Sequence, residues 1–156
     1  AREQRDRDFL LLESDLIYEQ RALREVTEGA GDSCVLLSGW TGAGDEVFVA
    51  AREGKLVGMS KRPEELPEPA VGELVGITRV SAGLFRHMID FSADAFDRTL
   101  HVDYETDCLV GVATRHPIDC HVSPDLLWAE IDDPAHLARA RDIVYPAIRV
   151  ADGESA

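Results

Sequence analysis

Two short stretches, ESDLIYE at 13–19 and WAEIDDPAHL at 128–137, share one design. An apolar run ends in acidic residues, and a helical segment follows. In an open parallel sheet, ligands bind beyond the carboxyl ends of the strands. Asp15 stands just past such an end. A carboxylate there suits Mg²⁺, which takes few protein oxygens and shares the rest with water and phosphate. The competing role for Asp15 is to cap the next helix. Glu130 and Asp132 fall on one side of an extended chain, because side chains alternate with period two. Asp133 points the other way and is free to cap. Two acidic strand ends in one sheet can converge on one metal ion. Capping plus solvated charge is the competing account here too.

Lys61 closes GKLVGMSK and precedes a Pro-containing loop. It can meet an anionic substrate as a compact point charge, or it can simply be solvated. In VDYETD, 102–107, Tyr104 offers an aromatic face and Glu105 a carboxylate. Together they can hold a cationic amine; alternatively the stretch is a capped helix start with a half-buried Tyr. His116, Cys120 and His121 in RHPIDCH match no standard zinc spacing, and Cys120 and His121 would face opposite sides of a strand. GWTGAG lacks both the GxGxxG pattern and a Gly-Lys-Ser/Thr ending, and reads as a turn. No Ser-His-Asp signature or nucleophile elbow is present.

The elements that must position these residues follow from periodicity. FLLLE (9–13) and CVLLS (34–38) are continuous apolar runs, expected to be strands covered on both faces. A helix between them makes one β-α-β unit with a parallel sheet. EVFVAAREGKLVGMSK (46–61) predicts a hairpin with Glu-Gly at its tip. The segment 61–73 holds three prolines and reads as an exposed loop, and 73–81 as a strand. Helices are expected in 81–100, in 104–116 and in 133–148, the last with Asp133 as N-cap and Pro134 at its first position. PIDCHVS alternates like an outer strand. The segment 1–148 reads as one domain and 149–156 as a fraying tail.

Composition narrows the options. The chain has 156 residues, enough for one domain with a single core. Its 30 acidic and 16 basic residues leave a net charge of −14, which repels nucleic acid and anionic membranes. A phosphate ligand therefore needs a local basic group or a metal. No apolar stretch approaches the roughly 20 residues that span a bilayer. Three widely spaced cysteines with no CxxC pair suit a reducing cytoplasm. The chain starts with Ala and not Met, which fits a trimmed, excised or partial chain.

Taken in order, DFLLLESDLIYEQRAL, GDEVFV, GKLVGMSK, GELVGITRVS, DYE and WAEIDDPAHLARA resemble the nucleotidyltransferases that activate small phosphorylated or phosphonylated alcohols and amines with CTP. The likeness is to bacterial-type phosphocholine and 2-aminoethylphosphonate cytidylyltransferases, over roughly residues 8–146. It implies a Rossmann-like three-layer α/β/α fold and Mg²⁺-dependent cytidylyl transfer with release of pyrophosphate. It implies Asp15 and Asp132, with Glu130, as metal ligands, and Lys61 beside the substrate phosphate or phosphonate. Tyr104 and Glu105 would lie at the amine end, and Glu73 in the strand lining the acceptor pocket. The family's Gly-rich loop of the kind LAAGxGxR is missing, so the chain reads as truncated at its N-terminus, with 1–7 resembling the end of a preceding helix. A second chain or self-association would then complete the nucleotide site and cover the exposed strand edges. Two rival functions remain: a sugar-phosphate nucleotidyltransferase, against which DYE speaks mildly, and a non-catalytic binding or assembly module.

Overall fold

The computed structural model describes residues 6–44 and 46–153. Among the described residues, eight strands form two sheets. In the larger one, β1 (Phe9–Leu12), β6 (Ala70–Val80), β3 (Cys34–Ser38), β7 (Asp119–Ser123), β5 (Lys55–Ser60) and β4 (Phe48–Arg52) are neighbours in that order. The long β6 pairs with β3 on one edge, and with both β1 and the start of β4 on the other. The pairing thus runs from β6 through β3, β7, β5 and β4 back to β6, so the sheet curls on itself. The second sheet is a two-stranded ribbon, three residues long, β2 (Leu16–Tyr18) against β8 (Trp128–Glu130).

The expected β-α-β unit is present in altered form. β1 and β3 do run parallel, since each is antiparallel to β6, but β6 lies between them. The strand β3 is buried at every residue, as its apolar run predicts. By contrast β1 is an edge strand with Leu12 36% exposed, not a strand covered on both faces. A short apolar run does not distinguish a buried central strand from an edge strand packed on one face. β7, expected at the outside, lies between β3 and β5, although its pairing with β5 is confined to Lys55 and Asp119.

Local chemistry explains the remaining elements. The β4–β5 hairpin turns through Glu53 and Gly54, both at positive φ (52° and 75°), the geometry that matches strand twist. Helix α1 (Arg21–Glu28) packs Ala22 and Val26 onto the sheet. Helix α2 (Ala82–Phe96) is capped by Ser81, whose side chain accepts from the Leu84 amide. A widened π turn, Tyr104–Leu109, is capped by Asp103 and leads into α3 (Val110–Ala113). Asp133 accepts from the amides of Ala135 and His136 and opens α4 (Pro134–Arg139), as expected. A second π turn, Ala140–Val144, joins it to α5 (Tyr145–Ala151) just ahead of Pro146, which has no N–H to give. The helical register therefore reaches three residues into the expected tail at 149–156. The segment 61–73 holds a single 3₁₀ turn at Pro63–Glu65, and β6 begins three residues before Glu73. Of the segment 1–7, only Asp6 and Arg7 lie within the described residues, and neither is helical. Among the described residues no helix is long and apolar enough to cross a membrane.

Candidate functional site

The two acidic stretches meet, but not as two parallel strand ends. They are the two halves of the antiparallel β2–β8 ribbon, in which Leu16 faces Glu130 and the Ile131 amide donates to the Asp15 carbonyl at 3.0 Å. The Glu13 amide is tied to the Gly76 carbonyl at 3.1 Å, which fixes the other end of the loop. As a result one carboxylate oxygen from each of Glu13, Asp15 and Glu130 lies within 4.8 Å of the others. Asp15 Oδ1 is buried and has no hydrogen-bond partner among the described residues. A buried carboxylate oxygen without a donor is costly unless a cation meets it. Three hard oxygen ligands with one bare lone-pair site fit Mg²⁺.

Asp15 and Glu130 are thus brought together, and Asp132 is not. The chain leaves extended geometry after Glu130, so period-two alternation stops there, and Asp132 is exposed outside the group. Glu13 takes the third place. The sequence signal for it is only its place in ESD, two residues before Asp15 at the end of an apolar run; the turn through Ser14 and Asp15, between β1 and β2, brings the two carboxylates together.

Glu13 also anchors the expected amine end. The Tyr104 hydroxyl donates to Glu13 Oε1 at 2.5 Å. Burial and the hydrogen bond from that hydroxyl to a carboxylate both push the Tyr104 hydroxyl well above its usual range. Glu105 sits against the same group. Burial first, then a hydrogen bond to Glu13 and its charge, push Glu105 up to about 8, while the Tyr104 hydroxyl pulls it down. Glu105 therefore keeps its proton near neutral pH and bridges to Glu13 as a donor. Gly76 makes room for this arrangement: at φ 78°, a Cβ there would stand 2.7 Å from Glu13 Cδ and closer still to Oε2.

Glu13, Glu105 and Glu130 line a cavity of about 60 Å³ together with Lys61, Glu46 and Arg139. It is far below the roughly 300 Å³ at which small-molecule pockets begin. It suits an ionic head group and leaves the rest of a ligand outside. Lys61 follows β5 directly and contributes from the hairpin, while Arg139 contributes from α4. Glu73 does not line the cavity. It is 1% exposed, and both its oxygens accept from the Thr41 amide at 2.9 Å. Burial pushes its pKa up and the Thr41 bonds pull it down. Its effect on the site passes through Thr41, which is a lining residue.

No family model matches the sequence. Among solved structures, the chain is similar to the inositol-1-phosphate CTP transferase of T. maritima, with a TM-score of 0.63 at 16% identity over 96% of this chain. It is also similar to a candidate glucose-1-phosphate thymidylyltransferase of Bacillus anthracis solved with sucrose, with a TM-score of 0.64 at 15% identity over 89% of this chain. The chain spans 58% and 55% of the length of those two proteins. At such identities the likeness establishes the fold alone: a mixed α/β architecture with a central sheet, shared with those two proteins.

Proposed function

We propose that this chain carries the metal and acceptor sites of a nucleotidyltransferase that moves CMP from CTP to a small amino-alcohol phosphate or phosphonate, such as phosphocholine or 2-aminoethylphosphonate. The observation that carries this reading is the Glu13–Asp15–Glu130 group, with its bare Asp15 oxygen, beside a cavity that also holds Lys61 and Arg139. In the reaction an acceptor phosphate or phosphonate oxygen forms a bond to the α-phosphorus of CTP. The bond from that phosphorus to the bridging oxygen breaks, and pyrophosphate leaves with the electron pair. Bound Mg²⁺ would neutralise phosphate charge. Lys61 and Arg139 offset the acceptor's negative charge, against a chain of net charge −14. Glu105, which lines the same cavity, is assigned to accept a hydrogen bond from the amine through its carbonyl oxygen, with Tyr104 holding Glu13 in place.

The Gly-rich nucleotide loop that the resemblance calls for is not in this sequence, so CTP binding is assigned to a second chain, to another copy or to another part of a longer protein. The three cysteines are free, in keeping with a cytoplasmic setting. A sugar-phosphate acceptor is the second reading. It is favoured by the two fold neighbours and by Tyr104, whose hydroxyl is turned to Glu13 in a polar network suited to hydroxyl groups. Calorimetric titration with Mg²⁺, followed by phosphocholine, 2-aminoethylphosphonate, glucose 1-phosphate and inositol 1-phosphate, separates the two. Binding confined to the amine-bearing ligands supports the first reading. Binding confined to the sugar or inositol phosphates supports the second. Binding of neither class overturns both and leaves an assembly module.

A further inference from the structure

Two buried side-chain atoms at the candidate site have no hydrogen-bond partner among the described residues, and they are of opposite kind. Asp15 Oδ1 is an acceptor, whereas Trp128 Nε1 carries a hydrogen that it can only donate. Trp128 is 9% exposed, and its ring packs in the core with Leu36, Val75 and Ile77. It also lines the cavity, as does Glu130, two residues along β8 on the same face of the strand. A buried donor left without an acceptor is destabilising, so such groups are rare unless something else meets them. The cavity of about 60 Å³ takes a group of only a few heavy atoms, which would touch several lining side chains at once. A cation answers only the first of the two bare atoms: Mg²⁺ against Asp15 Oδ1 leaves the indole hydrogen without an acceptor. An anionic oxygen answers the second, and Lys61 and Arg139 line the same cavity with the charge to hold it.

We propose that the Trp128 indole N–H is a ligand-positioning donor that receives an oxygen of a phosphate or phosphonate, so that the site is built for a metal ion and a phosphoryl group together and not for a bare cation. The Lys61 ammonium is a rotatable point charge, whereas an indole N–H has one fixed direction. Trp128 therefore sets which way the phosphoryl group turns, while Lys61 and Arg139 supply the attraction. Metal and phosphoryl group then strengthen each other's binding by the same factor. Only the identity of the phosphorylated molecule rests on the nucleotidyltransferase reading.

The test is calorimetric titration of the full chain with inorganic phosphate and with methylphosphonate, each with and without Mg²⁺. Trp128→Phe keeps a packing ring and removes the donor. It should weaken binding of both anions to the Mg²⁺-loaded chain by about tenfold or more, the effect of losing a hydrogen bond to a charged group. Binding of Mg²⁺ alone should stay as in the parent; a ring that merely supports the β2–β8 ribbon would lose both. A second readout uses the unsubstituted chain and does not depend on the variant folding. Its two tryptophans, Trp40 at 61% exposure and Trp128, give two indole N–H signals in a proton–nitrogen correlation spectrum, which Trp40→Phe tells apart. Phosphate with Mg²⁺ should shift the Trp128 signal and leave that of Trp40 in place. No phosphate binding in the presence of Mg²⁺, binding that leaves the Trp128 signal unmoved, or a folded Trp128→Phe that binds as the parent does overturns the donor. Binding of phosphocholine, 2-aminoethylphosphonate or a sugar phosphate with the Trp128 signal unmoved sinks the donor and spares the enzyme reading. A Trp128 shift with phosphate, in a chain that takes none of those acceptors, does the reverse.

Discussion

Replacing Gly76 by alanine should loosen the fold and the candidate metal site together. Gly76 lies mid-strand in β6 at φ 78°. A left-handed backbone costs an L-residue roughly 1–2 kcal/mol. The new methyl would also meet the Glu13 carboxyl group and stand 3.2 Å from Leu16 Cδ1. Glu13 must then move, which breaks its bond from the Tyr104 hydroxyl; hydrogen bonds to charged groups contribute about 1.5–3 kcal/mol. Allowing Glu13 some relief by rotation, the expected loss is about 2–4 kcal/mol, or a drop of roughly 5–15 °C in Tm for a chain of this size. Urea and thermal denaturation measure it, and Mg²⁺ titration of the folded variant should show weakened binding. The clash assignment is checked by a double-mutant cycle with Glu13→Ala. If the two changes meet at one point, their combined cost is less than the sum by about 1 kcal/mol or more. Strict additivity, or a loss under about 1 kcal/mol for Gly76→Ala alone, would refute the reasoning.

Asp15→Ala and Glu130→Ala should each weaken binding of Mn²⁺, used as a paramagnetic probe for Mg²⁺, whereas Asp132→Ala should leave it unchanged; a loss at Asp132 equal to that at Asp15 would favour the ligand set read from the sequence. Glu73→Ala should destabilise by about 1–3 kcal/mol by removing the buried acceptor of the Thr41 amide, and should weaken ligand binding through the loop it braces; denaturation and titration together check both. His116 Nε2 lies within hydrogen-bond distance of the Ser81 hydroxyl at 3.2 Å and of the Ser33 hydroxyl at 3.5 Å. Burial and neighbouring His87 lower its pKa from 6.5, while Asp32 opposes them. The unfolded chain therefore takes up this proton more readily than the folded one, so stability should fall as pH drops through 6.5 and on through the lower folded value. His116→Gln should flatten that part of a urea-midpoint profile between pH 7 and pH 5, and an unchanged profile would count against the assignment.

Much of the chain was legible because short-range physics decided it. The apolar run CVLLS predicts a buried strand, and it is one. The Glu53–Gly54 tip, the Asp133 cap and Pro134 are set by side-chain and backbone chemistry within a few residues. The carboxylates Asp15 and Glu130 were recognisable as strand-end acids, and Lys61 and Glu105 do reach one cavity. What remained hidden depends on contacts across the chain. Inserting β6 between β1 and β3 is a pairing choice that an apolar run leaves open. The antiparallel β2–β8 ribbon places Glu13 in the carboxylate group and leaves Asp132 outside it. Glu73 became a brace because β6 buries it under Thr41. Sequence alone determined which residues could bind ions, since charge and local spacing are carried by the chain itself. Tertiary structure alone decided which of them share one site, because that depends on strand register between segments more than a hundred residues apart, such as Leu16 and Glu130.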